Sequence, residues 1–123
     1  MASKIQPPDS VSVALTHEML HALNVPIHRL GYRHLTVAIV RFSQGDMHSL
    51  TKELYPYLAS YFGYKSWHAV ENSIRGAIID AWNNGDTDVW RQYFSYAKKP
   101  PTNKCFLATL AERLQQNTPP IKE

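Results

Sequence analysis

The sharpest chemical string in the chain is His17-Glu18-Met19-Leu20-His21, an H-E-x-x-H pattern. On a helix, residues i and i+4 share a face, so two imidazoles at this spacing can hold zinc while the glutamate acts as general base. A catalytic zinc also needs a third protein ligand. The extended pattern places glycine at position 24 and histidine at position 27. Here those positions are Asn24 and Ile27, and His28 is one residue out of register. With six histidines in 123 residues, a chance match is easy. The expectation is therefore no catalytic residue, no metal and no cofactor, with His17 and His21 as surface or partly buried helix residues. There is no glycine-rich phosphate loop, no G-x-S-x-G and no carboxylate pair at informative spacing to support another enzymatic reading.

A second constellation points to different chemistry. His68, Glu71, Asn72, Arg75 and Gly76 lie opposite Val70, Ile74, Ala77, Ile78 and Ala81, which recur at helical spacing and form an apolar face. A helix with such an outer face fits the DNA major groove, where arginine can bond guanine bidentately, asparagine can read adenine, and a carboxylate can accept from cytosine. Arg75 is the expected main base contact, with Glu71 one turn earlier and Asn72 beside them. Lys65, Ser66 and His68, at the helix start, suit backbone phosphate. A structural role competes with this reading. Glu71 and Arg75 are an i, i+4 pair in the favourable order, which alone stabilises a helix by about 0.2–0.5 kcal/mol. Lys98, Lys99 and Lys104 form a basic cluster around a proline loop and read first as a solvated loop. Cys105, beside Phe106, is expected to be buried packing.

These residues depend on a pair of helices for their placement. The stretch from Tyr55 to Trp82 reads as a helix over 55–62, a turn at Gly63, Tyr64 and Lys65, and a second helix ending near Asn83. Gly63 can end the first helix at positive φ, and Ser66 is the expected N-cap of the second. This is a helix-turn-helix pattern. Before it, the sequence predicts one helix from Asp9 or Ser10 to about Leu23, with Asn24 as C-cap, and another over Tyr32–Phe42. The run Val37-Ala38-Ile39-Val40 is compatible with a strand, but nothing elsewhere would pair with it, so it is assigned to a helix. A third helix starts at Ser49 or Leu50 and meets Pro56, giving one kinked helix or two. A short helix over Val89–Tyr93, capped by Asp86 or Thr87, precedes a last helix. Thr102 or Asn103 caps that helix, and its apolar stripe is Phe106, Leu107, Leu110, Ala111 and Leu114. The expected fold is all-α: about six helices packed around a central helix-turn-helix. Residues 1–9 form a disordered lead, 10–115 the helical domain and 116–123 a loose tail.

Composition sets wider bounds. The chain is long enough for one domain with one core. No apolar run is long enough to span a membrane, and the N-terminal residues lack the apolar region of a signal peptide. The single cysteine cannot form an internal disulfide, which fits a cytoplasmic location. A net charge of +3 permits a nucleic-acid partner without requiring one.

The chain resembles the C-terminal effector domain of the master response regulator of endospore formation. The resemblance covers about Leu15 to Leu114. It rests on His21, Val25–His28 (VPIH), Gly31-Tyr32, Ser49–Pro56 (SLTKELYP), and Leu58, Ala59 and Phe62. It continues through Val70, Glu71, Ile74, Arg75, Ala77, Ile78, Ala81 and Trp82, then Gly85, Pro101–Asn103 (PTN) and Phe106. His21 is a family position and His17 is not, which further weakens the zinc reading. The resemblance implies an all-helical domain whose helix-turn-helix reads a short box in double-stranded DNA, with copies arranged in tandem. It also implies contact with an RNA polymerase sigma factor through a surface outside the reading helix, and control of early sporulation genes. The family's reading helix carries an Arg, Glu, Arg, then Arg-His series. Glu71 and Arg75 are retained, whereas the other arginine positions are Ala69 and Asn72 and the histidine position is Gly76. The turn before the helix is one residue longer, and the loop before PTN is several residues shorter. The family's box is therefore not carried over to this chain, and the loss of two positive charges lowers the expected affinity. At this length the chain adds no phosphorylatable receiver domain, so it is expected to be an excised effector domain or a free-standing paralogue. An alternative of another class is a protein-interaction module that kept the fold, lost strong DNA binding and modulates a related regulator.

Overall fold

The computed structural model describes residues 9–95 and 97–117. Most of the expected lead and tail lies outside the described residues. The first helix, α1 (Ser10–Ala22), starts where the Asp9 carboxylate accepts the Ser12 amide at 2.8 Å. That bond holds the Asp9 pKa below its ordinary value. Helix α1 has Leu23, not Asn24, as its C-cap, and Asn24 turns left-handed at φ 65° just beyond it, a conformation asparagine tolerates better than most residues.

Helix α2 (Leu30–Phe42) carries the Val37–Val40 run, and that run is helical as predicted. Nine of its thirteen residues are buried: Gly31, Tyr32, His34, Leu35, Thr36, Val37, Ala38, Ile39 and Val40. A helix apolar on nearly all sides belongs inside a core, and α2 contacts α1, α4 and α6 on its different sides. Its crossing with α4 is close. A Cβ on Gly31 would stand 2.6 Å from the Ala77 Cβ and 2.6 Å from the Ser73 carbonyl oxygen, so the position has room only for hydrogen.

The segment before Pro56 is helical and divides at Tyr55 as predicted, but its first part takes a form the sequence did not specify. Leu50–Leu54 is a π-helical turn that runs directly into α3 (Tyr55–Phe62), with Pro56 in the first turn of α3. Proline has no N–H for the carbonyl four residues back, and its ring crowds that carbonyl; a wider turn relieves both problems. The turn is capped reciprocally. Ser49 Oγ accepts the Lys52 amide, and the Glu53 carboxylate accepts the amides of His48 (2.7 Å) and Ser49 (2.9 Å).

Gly63 ends α3 at φ 77° as expected, and the amides of Gly63 and Tyr64 bond back to Ser60 and Ala59. Helix α4 (His68–Asn84) follows, with Val70, Ile74, Ala77, Ile78 and Ala81 all buried, as the periodicity predicts. Ser66 is not its N-cap. Trp67 holds that position, but Ser66 still accepts the His68 amide at 3.2 Å, from one residue further out. At the other end of α4, Asn24 donates to the Asn84 carbonyl at 3.0 Å. Asp86 caps α5 (Thr87–Tyr93), whose buried Trp90 donates its indole N–H to the Leu23 carbonyl at 3.2 Å.

Thr102 caps α6 (Asn103–Asn117), which buries the predicted stripe of Phe106, Leu107, Leu110, Ala111 and Leu114. The helix continues through Gln116 and Asn117, two residues into the expected tail. Cys105 is exposed, contrary to the expectation of buried packing. It lies beside the buried stripe, in the first turn, where its sulfur faces no core. The described residues contain six α-helices, one π-helical turn and no strand.

Candidate nucleic-acid interface

The helix-turn-helix is held from beneath by a buried histidine. His34, on α2, bonds the Tyr64 hydroxyl through Nε2 at 2.9 Å and the Ser73 hydroxyl through Nδ1 at 3.0 Å. The Phe62 ring meets its edge at 4.8 Å. One neutral imidazole thus connects the core helix, the turn and α4. Burial, and secondarily the Arg33 charge, lower its pKa. Two hydroxyls can donate or accept as the tautomer requires, so the neutral ring satisfies both contacts.

At the start of α4, Tyr55, Trp67 and His68 form a run of rings, with centroids 5.6 Å and then 4.1 Å apart. Ser66 Oγ also lies 2.9 Å from His68 Nδ1. His68 is therefore exposed but oriented. Lys65 and Ser66 are exposed beside it, at the end of the helix where free amides and the macrodipole attract anions.

The predicted reading residues divide into two groups. Ala69 and Asn72 are exposed, and Gly76 is half-buried on the same outward strip. Glu71 and Arg75 are half-buried on the flank of α4 that leans toward α6. They line a groove of about 420 Å³ with Leu50, Thr51, Tyr55, Thr102, Asn103 and Lys104, and Asn72 lines it too, so that residue joins the two groups. Arg75 Nη1 donates to the Pro101 carbonyl at 2.6 Å, so in the free protein the guanidinium is already tied to the connection before α6. Glu71 and Arg75 form no ion pair among the described residues; the ion pairs there are Arg29–Asp80 and Arg41–Asp46. The i, i+4 stabilisation considered for them is absent from this arrangement.

Asn103 closes the groove. Its Nδ2 donates to the Tyr55 hydroxyl at 3.0 Å and to the Glu71 carbonyl at 3.3 Å, while its Oδ1 is buried without a partner. The PTN string therefore links α6 to α4 through a proline carbonyl and an asparagine amide. Sequence reasoning found the string but not this role. The three lysines also separate: Lys104 donates to the His48 carbonyl at 3.0 Å, whereas Lys98 and Lys99 line a different groove with Tyr93 and Cys105.

The H-E-x-x-H residues do other work. The rings of His17 and His21 lie 5.1 and 5.7 Å from the Tyr32 ring, and His21 Nε2 is 2.9 Å from the Tyr32 hydroxyl. Among the described residues, no group of three His, Cys, Asp or Glu side chains could hold a metal ion. Both histidines pack α1 against α2.

A helix, a short turn and a second helix with one exposed face make the helix-turn-helix arrangement, a class that includes many groove-reading domains. Helices α3 and α4 have this arrangement, with α2 behind them. Residues 16–114 match the family model of the sporulation initiation factor Spo0A C-terminal domain. The chain belongs to that family, a family of DNA-binding regulatory domains of sporulation and not of enzymes.

Proposed function

We propose that this domain is a sequence-specific transcriptional regulator that reads a short DNA box with α4 in the major groove. The observation that carries this reading is the division of α4 into a fully buried inner face and an outer strip exposed at His68, Ala69 and Asn72. Membership in the Spo0A C-terminal family supports it. Arg75 and Glu71 read bases from the flank of the helix, and Asn72 reads from the strip. Ala69 allows close approach of the helix backbone to the groove floor, and Gly76 adds no side chain of its own to the strip. Lys65, Ser66 and His68 hold phosphate at the helix start. Tandem copies on DNA and contact with an RNA polymerase sigma factor complete the proposed role, in the compartment that holds the DNA. No helix among the described residues is long and apolar enough to cross a membrane.

The experiment is selection of bound oligonucleotides from a random duplex pool at fixed salt. An enriched short box supports the proposal, and an unenriched pool refutes it. One observation favours a second reading, a protein-interaction module with weak DNA binding: the outer strip at 69, 72 and 76 carries no charge of its own. Co-purification with a related regulator, together with no DNA retention at low salt, would select that reading.

A further inference from the structure

Positions 69, 72 and 76 of the outer strip of α4 carry no charge, yet a cation lies over the last of them. Arg29, in the loop between α1 and α2, donates from Nη1 to Asp80 Oδ2 at 2.6 Å. A Cβ built on Gly76 would stand 2.8 Å from Arg29 Nη2. The guanidinium therefore lies across the backbone of α4 between Gly76 and Asp80, in space that a side chain at 76 would occupy. Both partners remain open to solvent, at 46% and 39% side-chain exposure. Nη2 makes no hydrogen bond among the described residues. An ion pair this exposed contributes little to stability. Its geometry does fix a planar, permanently charged group at the surface with donors to spare.

We propose that Arg29 is a DNA-contacting residue of this domain, laid over Gly76 and held there by Asp80. It donates to an acceptor oxygen or nitrogen of the duplex beside the bases read by Asn72. Glycine at 76 then has a positive role: it leaves room for a cation supplied from another part of the chain. The inference rests on the DNA-reading function proposed above. Two acceptors share this chemistry, a backbone phosphate and a guanine edge, and they behave differently. A phosphate contact carries no sequence information and is salt-sensitive, whereas a bidentate guanine contact is sequence-dependent.

The test is fluorescence anisotropy across a salt series, using the oligonucleotide enriched from the random pool and a scrambled duplex. The proteins are wild type, Arg29→Ala, Arg29→Lys, Gly76→Ala, the Arg29→Ala/Gly76→Ala double variant, and Arg75→Ala as reference. Arg29→Ala is expected to weaken binding about fivefold or more. With a phosphate contact, both duplexes weaken together, the salt slope falls by about 0.9, and Arg29→Lys largely recovers binding. With a guanine contact, only the selected box weakens and lysine does not substitute for the arginine fork. Gly76→Ala, whose methyl displaces the guanidinium, is expected to cost affinity in wild type and nothing further in the Arg29→Ala background. If Arg29→Ala melts early, the Gly76→Ala single variant decides the matter, because an affinity equal to wild type overturns the assignment. If Arg29→Ala matches wild type on both duplexes at every salt, the Arg29 assignment is overturned, and the Arg75→Ala loss shows that DNA reading survives. A wild-type protein that binds neither duplex removes both.

Discussion

Arg75→Ala tests whether the guanidinium is a clamp, a reader or both. In the free protein Arg75 Nη1 donates to the Pro101 carbonyl at 2.6 Å from a half-buried position. A hydrogen bond from a charged donor contributes about 1.5–3 kcal/mol. Partial exposure discounts that toward about 1–2 kcal/mol, which corresponds to a drop in Tm on the order of 5 °C for a domain of this size. Removing a base-reading arginine costs a further 1–3 kcal/mol of binding, roughly 5- to 150-fold in affinity, and relaxes preference at one position of the box. DNA competes with the Pro101 bond or uses the remaining guanidinium donors, so the measured binding loss is net of any exchange. Urea unfolding reads the first quantity, and anisotropy at a temperature well below the variant's Tm reads the second. Arg75→Lys should recover little specificity, because an ammonium cannot form the planar fork. A lowered Tm with unchanged specific binding would show that Arg75 is only a clamp. Unchanged stability would show that the Pro101 bond contributes nothing in solution.

Gly31→Ala should destabilise the fold by about 1–3 kcal/mol in urea unfolding, because a methyl there overpacks the α2–α4 crossing. Adding Ala77→Gly should not rescue it, since the Ser73 carbonyl oxygen lies as close as the Ala77 methyl. Because burial depresses the folded-state pKa of His34, its full contribution to stability is present above the unfolded pKa near 6.5. That contribution is lost as pH falls from there through the folded pKa. His34→Gln should flatten this segment of a stability-versus-pH curve, and a wild-type slope retained in the variant would contradict the assignment. His17 shifts in the same direction and is common to both proteins, so the difference between the two curves isolates His34. The carboxylates of Asp9, Asp46 and Glu53 have lowered pKa values and act only at more acid pH. Lys65→Ala should weaken selected and scrambled duplexes about equally and reduce the salt slope by about 0.9; a loss confined to the selected box would reassign Lys65 to base reading.

Periodicity is a good guide in α4 and α6 but not in α1, where Ser12 and Thr16 are buried and Val13 and Leu15 only partly so. It located the buried faces of α4 and α6 residue by residue, and the glycine at 63 marked a left-handed stop. It was silent on which helix becomes the centre. The Val37–Val40 run looked ambiguous because residues buried on every side leave no period to read. The π-helical turn at Leu50–Leu54 was hidden because Pro56 signals a break without specifying its form. The most informative contacts at the interface join distant residues: Arg29 with Gly76 and Asp80, Arg75 with Pro101, Asn103 with Tyr55, and His34 with Tyr64 and Ser73. No local spacing encodes such pairs. The exposure of Cys105 has a related reason: neighbours in sequence point in different directions on a helix, and Phe106 and Leu107 turn inward while Cys105 does not.

The bare approach of Gly31 to α4 also sets a mechanical tolerance. Ser73 and Ala77 lie near the middle of α4, so this contact acts as a fulcrum with an arm of about 11 Å to the helix start. A tilt of 10° about it would swing the first turn by about 2 Å, more than half of the roughly 3.4 Å between successive bases along a DNA strand. A larger residue at position 31 would do more than cost stability: it would change where the helix points and, on the proposed function, which base each side chain meets. The smallest side chain in the core therefore works as an alignment stop for α4.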